Sequence, residues 1–220
     1  ASIDGRIDRV MPIFPDFAFP EGGPHIRPAE HALTQEARLH NVKLPAARAF
    51  IAANPLDRVV LSGGRSPRIG IVSTGKSYLD VLEALDMLGL DEVAAADHGL
   101  AFLKIGCPWP LDASRMRDFA NGLELLVFVE EKRGLIEGQA KEILYGTRDA
   151  PAIIGKQDEE GRVLFPAPAA LEPMHIALEI GRRLQERRPT EALGAALADL
   201  EGRRERFAST GDVAVRSPYF

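Results

Sequence analysis

The first residues whose spacing could do chemistry are those from 70 to 77. They read Gly-Ile-Val-Ser-Thr-Gly-Lys-Ser and match the pattern G-x-x-x-x-G-K-[ST] of a phosphate-binding loop. In such a loop the residues between the glycines leave the strand, so that their N–H groups surround the phosphates. Ile71 and Val72 instead continue an apolar strand. We therefore favour a strand-to-helix turn, in which Gly75 relieves backbone strain and Ser77 caps the helix. A third interpretation stays open, in which the helix N-terminus and Lys76 hold an anion.

Further polar residues follow the neighbouring apolar strands. The carboxyl ends of parallel strands meet at one edge of a sheet, where ligands bind. Glu130 and Glu131 beside two cations could tune acid–base chemistry. Neighbouring residues on an extended chain point in opposite directions, however, so we favour a salt-bridge cluster over a catalytic pair. The candidate functional edge comprises Ser73, Thr74, Gly75, Lys76, Trp109, Glu130, Glu131 and Lys132.

Two residues that follow the apolar run at 100–105 have two interpretations each. Trp109 lies between two prolines and is either an interface anchor or a plug in the core. Cys107 is either a reactive thiol or, as is more common for a free cysteine, a small buried apolar residue. The five histidines form no metal-binding spacing, and no nucleophile elbow or dinucleotide fingerprint occurs. We predict no catalytic and no metal-binding residue.

Alternating strands and helices would position this edge. The apolar patterns predict strands at 58–62, 68–73, 100–105, 124–129 and 152–154. They predict helices at 29–53 with a kink before Pro45, around the leucines from 79 to 88, and at 112–119, 135–144, 171–188 and 190–206. In the helix of the leucines from 79 to 88, Ser77 and Asp80 read as a capping signal, Asp80 also fills the polar side, and Gly89 reads as a stop. The alternation predicts a three-layer α/β/α fold with a mainly parallel sheet, extended by helical segments at both ends.

The chain divides by composition into three parts. Residues 1–56 form a proline-rich linker and a helix, 57–160 the α/β domain, and 161–220 a helical pair with an extended tail from residue 208. The apolar residues of the first segment, such as Phe14 and Phe17, are too many for a free linker and suggest packing on another surface. The chain begins at Ala1 and ends at Phe220, and we expect it to be a piece of a longer protein.

Composition excludes several classes of function. The 220 residues carry a formal net charge of −5, which argues against binding to nucleic acid or to anionic membranes. No apolar run approaches the roughly 20 residues of a membrane span. The single cysteine allows no intrachain disulfide and no four-cysteine iron–sulfur cluster, so we expect a cytoplasmic protein.

Five stretches resemble indolepyruvate:ferredoxin oxidoreductase, and most closely its long fused form. They are QEARLH at 35–40, RIGIVSTGKSYLDV at 68–81, LKIGCPWPLD at 103–112, VFVEEKRGLIEGQ at 127–139 and RSPYF at 216–220. The resemblance covers nearly the whole chain and is densest from about 68 to 146. It implies that this piece is the internal module similar to the C-terminal domain of transketolase.

The resemblance implies a function for the longer protein. That family uses thiamine diphosphate and magnesium to decarboxylate an aryl 2-oxoacid such as indolepyruvate, passes electrons through iron–sulfur clusters to ferredoxin, and releases carbon dioxide and an acyl-coenzyme A. This module would be structural and would hold no cofactor. Its partners would be the thiamine-binding modules of the same polypeptide, within a homodimer.

Departures from the family pattern support a structural role. The Gly-Asp-Gly of thiamine enzymes is not matched, because Val213 follows Gly211 and Asp212. The cysteines of the clusters are missing as well. As an alternative, the turn from Gly70 to Ser77 could bind a nucleotide or the diphosphate of coenzyme A.

Overall fold

A five-stranded sheet forms the centre of the computed structural model, which describes residues 11–54 and 56–209. The strands are β1 (Arg58–Ser62), β2 (Ile69–Thr74), β3 (Leu100–Ile105), β4 (Leu125–Val129) and β5 (Ala152–Ile154). Their order across the sheet is β1-β3-β2-β4-β5. Strands β2 to β5 are parallel, while β1 runs antiparallel to β3 at one side. The sheet is therefore mainly parallel, as the sequence predicts.

Eight α-helices accompany the sheet in the described residues. They are α1 (Ala32–Arg38), α2 (Leu44–Ala53), α3 (Gly75–Met87), α4 (Glu92–Asp97), α5 (Ala113–Ala120), α6 (Leu135–Leu144), α7 (Pro173–Arg187) and α8 (Glu191–Ser209). The kink before Pro45 takes the form of a π-helical segment, Leu39–Lys43, between α1 and α2. Pro45, which has no backbone N–H to donate, stands in the first turn of α2 directly after this π-helical segment.

The two faces of the sheet carry separate apolar layers. On one face Ile71 and Val127 pack with buried residues of α3, α7 and α8. On the other face Val72 and Leu126 pack with α5 and α6. The central strands β2, β3 and β4 are almost entirely buried, which is why their sequences are continuous apolar runs. The layering confirms the three-layer α/β/α prediction, with helical segments on both sides of the α/β part.

The N-terminal segment contacts the C-terminal end of α2 through Ile13 and Phe14. The backbone N–H of Ile13 donates to the side chain of Asn54, whose own amide donates to the carbonyl of Ile13, both at 2.9 Å. The Phe14 ring lies 6.0 Å from that of Phe50, although Phe14 remains exposed. The tail from residue 210 onward, which includes Gly211, Asp212 and the final RSPYF stretch, lies outside the described residues.

Two details of α3 correct the sequence-based expectation. Thr74, not Ser77, is the N-cap residue, and its side chain makes no capping bond. Asp80 is buried, while Leu79 is 60% exposed. The helix is thus rotated from the simple leucine stripe: Val81, Ala84 and Leu85 belong to the buried core, and Asp80 forms an ion pair with Lys76.

Candidate functional site

The predicted edge exists: β2, β3 and β4 all end on the same side of the sheet. The Thr74 hydroxyl donates to the carbonyl oxygen of Ile105 over 2.9 Å and so joins the ends of β2 and β3. The backbone N–H of Glu131 donates to the Ser77 hydroxyl over 3.2 Å and joins the loop after β4 to the first turn of α3. The strand ends and the loops that follow them are therefore joined along one edge, although Ser73 and Glu130 are buried there.

The turn from Gly70 to Ser77 lacks the geometry of a phosphate loop. Residues 69–73 pair in register with both β3 and β4, so Ile71 and Val72 stay in the sheet. Gly70 is needed for packing, since a Cβ there would lie 2.6 Å from Leu123 Cδ1 and 2.8 Å from Phe119 Cε1. Only Gly75 needs its conformational freedom, with φ at +56°. The favoured interpretation, a strand-to-helix turn, is confirmed.

Lys76 is neutralised by two carboxylates. Its ammonium group lies 2.7 Å from Asp80 Oδ2 and 3.9 Å from Glu131 Oε1. The hydrogen bond to Asp80, together with the nearby negative charges, raises the pKa of the Lys76 ammonium group. An anion arriving at the α3 N-terminus would meet a lysine already shared between two acids, so this arrangement disfavours diphosphate binding.

The carboxylate of Glu130 caps the N-terminus of α6. Its carboxylate accepts the N–H groups of Leu135, Ile136 and Glu137 at 3.0, 2.8 and 2.9 Å. The residue is only 5% exposed. These three amides belong to the first turn of α6, whose N-cap residue is Gly134 and has no side chain to satisfy them. The carboxylate is therefore committed to capping.

Glu131 and Lys132 point away from Glu130 and reach the segment before α7. Glu131 Oε1 accepts the N–H of Leu171 at 3.2 Å, and Lys132 Nζ donates to the carbonyl oxygen of Ala169 at 3.0 Å. The prediction that Glu130 and Glu131 do not act on one atom is in line with these contacts. The two side chains fasten the edge to residues that are about 40 positions away in the sequence.

A buried carboxylate that the sequence analysis did not select lies next to this edge. Glu137 is 6% exposed; its Oε2 accepts the N–H of Lys156 at 2.9 Å and its Oε1 lies 2.6 Å from Lys141 Nζ. A Cβ on Gly155 would lie 2.4 Å from Glu137 Oε2, so the glycine makes room for the carboxylate. The only signal in the sequence is the i,i+4 spacing of Glu137 and Lys141, which also occurs on ordinary exposed helices.

Lys156 completes the cluster from β5. Its ammonium group donates to the carbonyl oxygen of Glu130. Burial lowers the pKa of the Lys156 ammonium group, although the charges of Glu130, Glu137 and Glu131 oppose that shift. The charged groups Lys76, Glu130, Glu131, Lys132, Glu137 and Lys156 thus bind one another and the backbone.

Trp109 is one of the exposed residues of the edge. Its side chain is 56% exposed, so the core-plug interpretation is wrong. Cys107 is partly exposed, and its thiol donates to the Trp109 carbonyl oxygen at 3.4 Å. Ser73 is fully buried, and its hydroxyl has no hydrogen-bond partner among the described residues.

The described residues of this chain do not fit the metal cofactors that the resemblance implies for the longer protein. A cubane iron–sulfur cluster needs four thiolates and the sequence has one cysteine. Within residues 11–54 and 56–209, no group of three or more histidine, cysteine or acidic side chains is placed to hold a metal ion. In the same part of the chain, no helix is long and apolar enough to cross a membrane.

Two solved structures are similar to this chain. The 2-oxoglutarate:ferredoxin oxidoreductase from Magnetococcus marinus matches 74% of this chain and 25% of its own, with 18% identity and a TM-score of 0.45. A split-gene transketolase in an inactive tetramer matches 64% of this chain and 41% of its own, with 18% identity and a TM-score of 0.38. The fold assignment rests on the sheet order and the layers described above.

Comparison of sequences identifies the family of this chain. The protein named indolepyruvate oxidoreductase subunit IorA from Pyrococcus horikoshii is 37% identical over 81 residues, which are 37% of this chain and 11% of that protein. Its namesake from Methanothermobacter thermautotrophicus is 29% identical over 116 residues, which are 53% of this chain and 17% of that protein. The chain therefore spans a small part of these relatives.

The family model described as the indolepyruvate oxidoreductase domain matches residues 59–206. Since that match covers most of the chain, this protein belongs to the indolepyruvate oxidoreductase domain family.

Proposed function

We propose that this chain is a non-catalytic structural module of a cytoplasmic, thiamine-diphosphate-dependent 2-oxoacid:ferredoxin oxidoreductase. The parent enzyme would convert indolepyruvate and coenzyme A to indoleacetyl-coenzyme A and carbon dioxide while reducing ferredoxin. The thiamine diphosphate, magnesium and iron–sulfur clusters would be bound by other modules of the same polypeptide, in a homodimer. Family membership supports the class of enzyme.

One observation carries the structural role: four charged side chains of the strand-end edge, Lys76, Glu130, Glu131 and Lys132, are already engaged. Glu130 caps α6, Lys76 is shared by two acids, and Glu131 and Lys132 hold the segment before α7. A general base needs an accessible lone pair within hydrogen-bond reach of a substrate. These groups instead fix the loops of the edge relative to one another, which is what a module that orients its neighbours requires.

Turnover by the isolated chain tests this role. We expect no turnover when the chain alone is given indolepyruvate, thiamine diphosphate, magnesium, coenzyme A and ferredoxin, and no binding of thiamine diphosphate by calorimetry. Circular dichroism on the same sample verifies that the chain is folded. Measurable turnover or stoichiometric binding would show that the module is catalytic.

The alternative role, binding of a nucleotide or of the coenzyme A diphosphate at the 70–77 turn, has its own test. We expect Lys76→Gln in the complete enzyme to leave the Michaelis constant for coenzyme A unchanged, because Asp80 and Glu131 already neutralise the lysine. Lys104→Gln is a matched control, since that lysine stands over the Tyr78 ring, outside the turn. A rise in this constant for Lys76→Gln alone would favour the alternative.

A further inference from the structure

A small cavity lies between the segment before α7 and the C-terminal part of α8. It has a volume of about 290 Å³. Four of the residues that line it are apolar, namely Pro166, Ala170, Leu171 and Met174. The segment before α7 is the one that Glu131 and Lys132 fasten to the strand-end edge. The cavity therefore adjoins a part of the chain that the edge holds in place.

Two charged residues of opposite sign also line the cavity. Arg204 follows the buried Leu200 by four residues, so it continues the inward-facing stripe of α8. Glu172 is the N-cap residue of α7, and its side chain makes no capping bond. Within residues 11–54 and 56–209, neither side chain forms a salt bridge or a hydrogen bond. The cavity thus offers an apolar lining, one cation and one carboxylate.

The residues that follow α8 carry the complementary pattern. The stretch 212–216 reads Asp-Val-Ala-Val-Arg, and its two end residues are the only charged side chains in 210–220. An apolar stretch between an acid and a base matches an apolar cavity that carries a cation and a carboxylate. A small anion fits less well, because Glu172 offsets the charge of Arg204 and the volume is near the lower limit of roughly 300 Å³ for a ligand pocket.

The connection is long enough for this stretch to reach the cavity. Arg204 lies five residues before the last residue of α8, which is about 7.5 Å along the helix axis. An extended chain advances about 3.3 Å per residue, so residues 210–212 cover that distance on the way back. The four steps from Asp212 to Arg216 then span about 13 Å. Asp212 comes first after α8, next to the arginine of that helix, and Arg216 is left for Glu172.

We propose that residues 212–216 dock into this cavity of the same chain. The two valines occupy the cavity, the acid faces Arg204 and the base faces Glu172. Burial of apolar side chains drives the docking, and the short connection gives the stretch a high effective concentration at the cavity. The docked stretch rests on the segment before α7, so it joins residues 212–216 to the hydrogen-bond network of the strand-end edge. The inference does not depend on the proposed function.

Disulfide trapping in the 220-residue chain tests the docking. The native thiol is removed by Cys107→Ser, and new thiols are placed in the stretch by Ala214→Cys and in the cavity by Ala170→Cys. A disulfide forms only when the two Cα atoms come within about 7 Å of each other. We expect it to form about tenfold faster than in a matched control that combines Ala214→Cys with Ala198→Cys. Ala198 is exposed on α8 and does not line the cavity.

Charge reversal supplies the second measurement. We expect Arg204→Asp to slow the trapping about threefold, because repulsion from Asp212 replaces an exposed ion pair. Adding Asp212→Arg restores the pair in the reverse order, so the rate should recover. Equal rates for the cavity and control cysteines, or a double reversal as slow as the single one, would overturn the proposal. So would a disulfide between two chains, because a second copy would then fill the cavity.

Discussion

At the scale of single residues, Glu130 determines whether the strand-end edge holds together. Its buried carboxylate accepts three N–H groups of α6. A glutamine has one acceptor oxygen and one NH2 group, so Glu130→Gln leaves at least one buried N–H facing a donor. We expect a loss of about 1–3 kcal/mol in the free energy of unfolding, measured by urea titration. Glu142→Gln, exposed on the same helix, should change it by less than about 0.5 kcal/mol. Equal stabilities for the two variants would contradict the capping role.

Asp57 predicts a dependence of stability on pH. Burial raises the pKa of the Asp57 carboxyl group, opposed by hydrogen bonds from Gly106 and Cys107. The folded state then binds the carboxyl proton of Asp57 more tightly than the unfolded state does. In the unfolded state the pKa of this carboxyl is about 3.9. As pH rises from there through the folded-state pKa, the unfolded state is the first to release the proton. The contribution of Asp57 to stability therefore falls over this window.

The variant Asp57→Asn isolates this contribution, because asparagine keeps an oxygen for the Gly106 N–H and does not titrate. We expect the unfolding free energy of the native chain minus that of the variant to fall as pH rises from about 4 toward neutrality. Urea titrations at a series of pH values measure it. Asp118→Asn, an exposed residue on α5, controls for the change in net charge. If this difference in unfolding free energy rose with pH, the pKa of Asp57 would be lowered in the folded state, and the argument from burial would be wrong.

At the scale of elements, the entry into the loop between β3 and α5, which carries Trp109, depends on a glycine. A Cβ on Gly106 would lie 2.2 Å from the backbone oxygen of Leu56, which has little freedom to move. We expect Gly106→Ala to destabilise the fold by about 1–3 kcal/mol in urea unfolding. Gly138→Ala is the matched control: this glycine lies within α6 and a Cβ would meet nothing within 4 Å. It should stabilise the protein by about 0.5–1 kcal/mol. Equal effects would show that space at Gly106 is irrelevant.

The strands could be predicted from the sequence because each contains a run of apolar residues between turn signals. The bounds of β1, β3 and β5 agree with the prediction to the residue. The short helix α4 was missed, since its six residues give too few turns for a period. The antiparallel pairing of β1 with β3 was not specified either, because pairing depends on contacts between distant parts of the chain.

The meeting of the strand ends at one edge could be predicted, and the contacts of the side chains there could not. Topology places the ends of parallel strands together, so the edge follows from the order of elements alone. The partners of its charged residues come from far along the chain: Glu131 meets Leu171, and Lys156 meets Glu130. Whether a carboxylate at a strand end is free or caps a helix depends on such contacts. Spacing carries no information about them.

At the scale of the whole molecule, one apolar core extends from the sheet into the C-terminal helices. Ile69 and Ile71 of β2 belong to the same buried cluster as Ile176 of α7 and Leu197 of α8. Helix α7 also packs closely against the end of α3, since a Cβ added at Gly181 would lie 2.9 Å from Leu88 Cδ2. The division at residue 160 stays a prediction about sequence segments. The shared core predicts that the sheet and the C-terminal pair unfold together.

Truncating Ile176 tests this cooperativity. The residue is fully buried, so Ile176→Ala should cost about 2–5 kcal/mol. Hydrogen exchange of the β2 amides, measured by NMR, tests whether the core unfolds as one unit. If it does, exchange will accelerate by the factor that corresponds to this loss in the free energy of unfolding. Strand β2 lies about 100 residues earlier in the chain than the substitution. Val163→Ala, at a position that is 73% exposed, should leave this exchange unchanged. Faster exchange confined to α7 and α8 would instead mean that the helical pair opens by itself. The sheet would then be stable without it, and the strand-end edge would be held by Glu130 and its neighbours alone.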